Sequence, residues 1–83
     1  MISKTTSIKK IVRNENKHYH LTYTLLLEDD FHYGIEVTCR YENTTETERI
    51  WVGQRYWDAL SVLRLFAKET VFPIALKETW ENL

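Results

Sequence analysis

Strict alternation of side chains from Phe31 to Tyr41 constrains this chain more than any other feature. Phe31, Tyr33, Ile35, Val37, Cys39 and Tyr41 fall on one side of an extended backbone, and His32, Gly34, Glu36, Thr38 and Arg40 on the other, because successive strand residues point to opposite faces. Residues 17–27 repeat the pattern, with Tyr19, Leu21, Tyr23, Leu25 and Leu27 in phase. Glu28, Asp29 and Asp30 lie between the two runs and read as a tight acidic turn. The spacing predicts an antiparallel hairpin with a three-residue connection, setting Leu27 opposite Phe31, Leu25 opposite Tyr33, Tyr23 opposite Ile35 and Leu21 opposite Val37. Directly opposed residues share a face. That register gathers every large apolar side chain of the hairpin on one side.

The rest of the chain has to pack around this hairpin. Residues 5–13 hold Thr5, Thr6, Ile8, Ile11 and Val12 and read as a first strand at an edge, where lysines discourage pairing with other chains. Asn14, Glu15 and Asn16 form a turn. Residues 42–46 read as a polar loop and residues 47–52 as a short fourth strand, with Ile50 and Val52 on one face and Trp51 on the other. From Gln54 the period becomes helical: Tyr56, Leu60, Leu63 and Ala67, flanked by Ala59 and Phe66, predict a helix over 54–70 with Gly53 as its N-cap. Pro73 stops that helix and starts a second over 74–83, which carries Leu76, Trp80 and Leu83. The expected fold is α+β, a single domain over 1–83: an antiparallel meander of three or four strands, one amphipathic helix packed on one face, and a short C-terminal helix.

Composition supports a packed core and excludes several classes. Three Trp, five Tyr and three Phe among 83 residues give large buried rings to a domain too small to bury much otherwise. The one cysteine, Cys39, cannot build a disulfide framework and fits a reducing compartment. No apolar run follows the N-terminal lysines, and strictly apolar stretches such as Leu25-Leu26-Leu27 are only a few residues long, far below the ~20 residues of a membrane helix. A soluble cytoplasmic protein with no membrane contact is expected.

The candidates for chemistry are few. His18 and His20 share a strand face, but His32 lies far along the hairpin, and Cys39 points to the opposite side. No metal centre is therefore expected. The serines have no neighbouring base, Gly34 and Gly53 stand alone, and the paired carboxylates sit in turns where nothing desolvates them. No catalytic residue, cofactor or enzyme activity is expected.

Charge is distributed unevenly although the net value is −1. Lys4, Lys9, Lys10, Arg13 and Lys17 face only Glu15 in the first 27 residues. Residues 28–48 carry Glu28, Asp29, Asp30, Glu36, Glu42, Glu46 and Glu48 against Arg40 alone. That acidic belt, with His32 and Trp51 on the outer sheet face, is the expected partner-binding surface of a small interaction or regulatory module. One concrete form is an inhibitor, encoded by a phage or mobile element, that occupies a basic groove on a nucleic-acid enzyme. Direct nucleic-acid binding through the basic first strand, with Lys9 and Lys10, is the alternative; a homodimeric structural protein is a third.

Tyr33-Gly34-Ile35-Glu36-Val37, the polar hairpin, the single helix and the segment from Phe72-Pro73-Ile74 to Trp80-Glu81-Asn82-Leu83 together resemble a family of short uncharacterised proteins from Gram-positive bacteria, a domain of unknown function. The likeness covers roughly 21–83. It implies this arrangement of strands and helix, and no catalytic residue or cofactor.

Overall fold

Four strands in chain order form one antiparallel meander: β1 (Ile2–Asn14), β2 (Lys17–Glu28), β3 (His32–Tyr41) and β4 (Thr44–Gly53). Helix α1 (Tyr56–Lys68) crosses one face, and a 3-10 turn (Pro73–Ala75) leads into a short α2 (Leu76–Glu81) beside β4. The computed structural model describes every residue except Asp30, so the expected partner contact at Asp30 lies outside the described residues. The α+β meander with two helices is the fold that the alternation and the later helical period predict.

The hairpin register differs from expectation by two residues. Leu27 opposes Tyr33, Leu25 opposes Ile35, Tyr23 opposes Val37 and Leu21 opposes Cys39. Strand β2 runs one residue further and closes at the Glu28–His32 pair, moving the connection to residues 29–31, where Asp29 takes a left-handed φ of 52°. A slip of two preserves both faces, so the core is unchanged. Phe31 alone leaves it, ending 53% exposed with its ring against His32. The expected polar loop over 42–46 is likewise only the two residues Glu42 and Asn43, and β4 already begins at Thr44, because β-branched Thr44, Thr45 and Thr47 suit a ladder.

Leu21, Tyr23, Leu25, Ile35, Val37 and Ile50 cover the inner face and meet Ala59, Leu60, Leu63, Phe66 and Ala67 of α1. Leu76, with Trp80 packed against the same core, docks α2. Gly53 is not the N-cap of α1; Arg55 is. Gly53 instead holds φ 134° where the chain leaves the sheet, a conformation costly for a residue with a Cβ.

A bulge between Lys4 and Thr6 sets the phase of β1. Beyond it Ile8, Lys10 and Val12 oppose inner-face Tyr23, Leu21 and Tyr19, while Lys9 and Ile11 take the outer face. Lys10 therefore reaches the C-terminus of α1, where its Nζ donates to the Ala67 carbonyl (2.9 Å) and to the Thr70 hydroxyl. The helix end is a Schellman arrangement, with Val71 N–H bonded to Phe66 O and Thr70 N–H to Ala67 O. Thr70 occupies the left-handed position at φ 54°, where glycine is usual, and its hydroxyl serves Lys10 instead. A cation here also complements the helix dipole. Lys10→Met is expected to lower stability by about 1–2 kcal/mol. Lys9→Met, on the solvated face, should change it by less than ~0.5 kcal/mol, and paired urea titrations read the difference.

Tyr23 is fully buried, and its hydroxyl finds no hydrogen-bond partner. Burial, with a smaller contribution from Cys39, pushes its pKa up from 10.0 to about 12. The neutral phenol is thus favoured in the folded state. Its contribution to stability is complete below pH 10 and disappears as pH rises through about 12. Tyr23→Phe removes an unsatisfied buried group and should be neutral or stabilising by about 1 kcal/mol. It should also flatten the alkaline fall in stability over that window, measured by denaturant titration at stepped pH.

Candidate functional site

Both helices pack on the inner side, so the outer face of the sheet stays open. Its side chains fall into rows across the strands: Lys4–Leu26–Gly34–Trp51, then Ser7–Thr24–Glu36–Arg49, then Lys9–Thr22–Thr38–Thr47, then Ile11–His20–Arg40–Thr45. Cross-strand hydroxyl pairs hold two of these rows, Ser7 to Thr24 at 3.0 Å and Thr38 to Thr47 at 3.2 Å.

The first row is capped by its own aromatic residue. Val52 bulges out of the β3–β4 ladder, and the Trp51 ring lies so close over Gly34 that a Cβ there would be 2.6 Å from Trp51 Cε3. Leu26, next in the row, is completely buried although no helix covers it. Trp51 keeps 41% of its surface exposed, so it is both a lid for this row and an outward aromatic surface.

The expected acidic belt does not form one patch. Glu28 and Asp29 sit at one end of the sheet, and Glu42 sits at the other, in the β3–β4 turn. Glu36, expected as a free outer carboxylate, is buried between Arg49 (2.6 Å) and Lys4 (3.8 Å). Glu46 and Glu48 oppose Cys39 and Val37, which places them on the inner-face side of β4. There Glu48 lies 3.7 Å from Lys77 of α2, and Glu46, after burial itself, helps raise the Cys39 pKa. Asp29 accepts a 3.1 Å hydrogen bond from the Met1 ammonium. The belt is split because a two-residue turn puts 44–53 into the ladder, where alternation separates neighbouring carboxylates.

An aromatic group gathers at the Glu28–Asp29 end. Tyr56 packs edge-on against Tyr33 with ring centres 5.7 Å apart, and Trp57 packs edge-on against Tyr56 at 5.0 Å. Trp57 remains 72% exposed. The Phe31 and His32 rings lie tilted against each other, 4.7 Å apart, beside the same turn. The place of Trp57 at the rim of the apolar stripe of α1 was the only sequence signal for this group. Phe31 was hidden by its apparent membership of the inner face.

At the opposite end the outer face is basic. A shallow hollow of about 790 Å³ is bordered by Lys9, Ile11, His20, Thr22, Arg40 and Thr45. An adjoining one of about 550 Å³ shares His20 and Arg40 and adds Asn16, His18 and Glu42. His20 opposes Arg40, not the expected Thr38, and His32 opposes Glu28, so His20 and His32 lie eight residues apart along the sheet, ~27 Å. Lys10, expected beside Lys9 in nucleic-acid contact, is on the other face and engaged with α1. Among the described residues no three His, Cys, Asp or Glu gather as a metal ion would require, and no helix is long and apolar enough to cross a membrane.

The sequence profile of a family of unknown function, DUF6514, matches residues 2–83. The chain belongs to that family. Membership thus extends over the first strand, beyond the 21–83 segment that carried the resemblance. No curated protein and no solved structure matches this family member at a significant level.

Proposed function

We propose that this member of the family is a non-enzymatic interaction or regulatory module that docks a larger protein through its aromatic end. The observation that carries this reading is the exposure of Trp57 while its ring is held by Tyr56, itself seated on Tyr33. A large ring already ordered in solvent loses little freedom on binding, and Trp and Tyr are enriched among interface residues that dominate affinity. Phe31, beside His32, and Trp51, on the outer sheet face, add exposed aromatic surface at the same end of the sheet, where Glu28 and Asp29 also lie. The matching partner surface is an apolar cleft rimmed by basic groups. An inhibitor seated in the basic groove of a nucleic-acid enzyme is one partner relationship of this kind.

The test uses the whole chain as bait in a lysate of its native host, with mass spectrometry, followed by titration of the purified partner. Trp57→Ala should weaken that partner's binding by about 30-fold, as loss of a central anchor worth ~2 kcal/mol does, and should leave thermal stability unchanged because Trp57 is exposed. Charge reversal at Glu28 and Asp29 should mainly slow association. An unchanged affinity for Trp57→Ala sinks the reading. A concentration-dependent sedimentation shift abolished by the same substitution makes a second copy of this chain the partner.

A further inference from the structure

We propose that the basic end of the outer sheet face, opposite the aromatic end, binds the phosphodiester backbone of single-stranded nucleic acid. The surface is separate from the aromatic end: Arg40 and His32 are eight residues apart along β3, ~27 Å.

The first support is charge segregation. The outer face carries Lys4, Lys9, Arg13, Arg40 and Arg49 against only Glu28 and Glu36, in a chain whose net charge is −1. Glu36 is already taken up by Arg49 and Lys4, so the row of Lys9 and the row of Arg40 contain no carboxylate. Among the described residues neither Lys9, Arg13 nor Arg40 forms a salt bridge. The acids at this end, Glu15 and Glu42, lie in the two turns, and Glu42 borders the smaller hollow. These cations are therefore available to phosphate.

Geometry supplies the second support. Lys9, Ile11 and Arg13 succeed one another on one face of β1, and Arg40 faces them across His20. Lys9 and Arg13 lie four residues apart on that face, ~13.6 Å with Ile11 between them, which spans about two phosphate steps of an extended strand. Thr22, Thr38, Thr45 and Thr47 place hydroxyl groups between the cations, and such hydroxyls commonly contact phosphate oxygens. His20 and the half-exposed Ile11 offer flat and apolar surface to bases. A shallow sheet surface with no helix projecting from it suits a single strand lying along it and has nothing to enter a duplex major groove.

The partner class follows from these features. Phosphates would meet Lys9, Arg13 and Arg40 with sequence-tolerant contacts to bases, so affinity should be modest and strongly salt-dependent. Three phosphates neutralised give a slope of log affinity on log salt of about −2.

The experiment is fluorescence anisotropy with labelled single-stranded DNA and RNA of about a dozen nucleotides, at low and at physiological salt. Direct binding with that slope, reduced more than tenfold in the Lys9→Glu/Arg40→Glu double variant, is the expected result. Arg64→Glu/Lys68→Glu, on the exposed side of α1, makes the same change in net charge and should leave binding within about twofold. Both pairs are solvent-exposed, and circular dichroism melts confirm that each variant folds. No binding at low salt, equal loss in both double variants, or tighter binding to polyglutamate than to either oligonucleotide overturns the proposal. Preference for RNA over DNA, or the reverse, identifies which backbone the site takes. Trp57→Ala should bind the oligonucleotides normally, which keeps this outcome independent of the aromatic end.

Discussion

Phe66→Ala should cost about 3–5 kcal/mol, about a quarter or more of the stability of a domain of this size. Domains of this length have roughly 4–12 kcal/mol in all, and Phe66 has no solvent exposure at the centre of the contact between α1 and the sheet. Two effects combine at this position. The ring is lost from among Leu63, Ala67 and the inner-face side chains, and the space it leaves cannot collapse fully, because the four-stranded ladder beneath is held by its own hydrogen bonds. The Phe66 carbonyl also receives the Val71 N–H in the turn that ends α1, so poorer packing there loosens the Lys10 attachment as well. Urea titration followed by circular dichroism should show a midpoint lowered by about a quarter or more. Leu65→Ala, on the same helix but partly exposed, should cost much less. A Phe66→Ala loss below ~1 kcal/mol would mean that α1 contributes little to the core. The consequence for function is direct, since α1 carries Tyr56 and Trp57.

The fold was legible in the sequence because period is a local property. Two residues for a strand and 3.6 for a helix assign 17–41 and 54–70 without knowledge of partners. Faces were legible for the same reason, and the two-residue register error left the inner set Leu21, Tyr23, Leu25, Ile35 and Val37 intact. Single residues at strand ends were not legible. Phe31 continues the alternation perfectly, and only the closing pair Glu28–His32 places it in the turn. The phase of β1 depended on a bulge whose position no pattern announces, and that bulge decides that Lys9 rather than Lys10 faces outward. The candidate surfaces suffered most from this. Counting carboxylates along 28–48 suggested one acidic belt, whereas sheet geometry sends Glu46 and Glu48 to one side, buries Glu36 on the other and leaves Glu42 at the far end. The basic hollow was half visible as a basic strand. Its second half, Arg40 across from His20, arises from pairing between residues twenty positions apart.

Gly34→Ala tests the tightest contact in the outer face. A Cβ at this position would lie 2.6 Å from Trp51 Cε3 and 2.8 Å from the Ile50 carbonyl oxygen. These two neighbours differ in what they can do. The Trp51 ring is half-exposed and can swing outward, at the cost of uncovering Leu26; the Ile50 carbonyl belongs to the β3–β4 ladder and can move only if the ladder distorts. Alanine would also restrict the unfolded chain, a gain of about 0.5–1 kcal/mol. The clash should dominate, for a net loss of about 1–3 kcal/mol, with Trp51 fluorescence shifted toward a more solvated ring. A double-mutant cycle with Trp51→Ala separates the two contacts. If displacement of the ring carries the cost, Gly34→Ala should be nearly harmless once Trp51 is gone. If the backbone carries it, the penalty should persist in the Trp51→Ala background, which is the expected outcome because Ile50 cannot yield. A single variant as stable as the parent would show that the ring is free to leave Gly34. The outer face would then lack a fixed aromatic lid over Leu26, and Trp51 would have to be treated as a mobile side chain in any account of binding at this end.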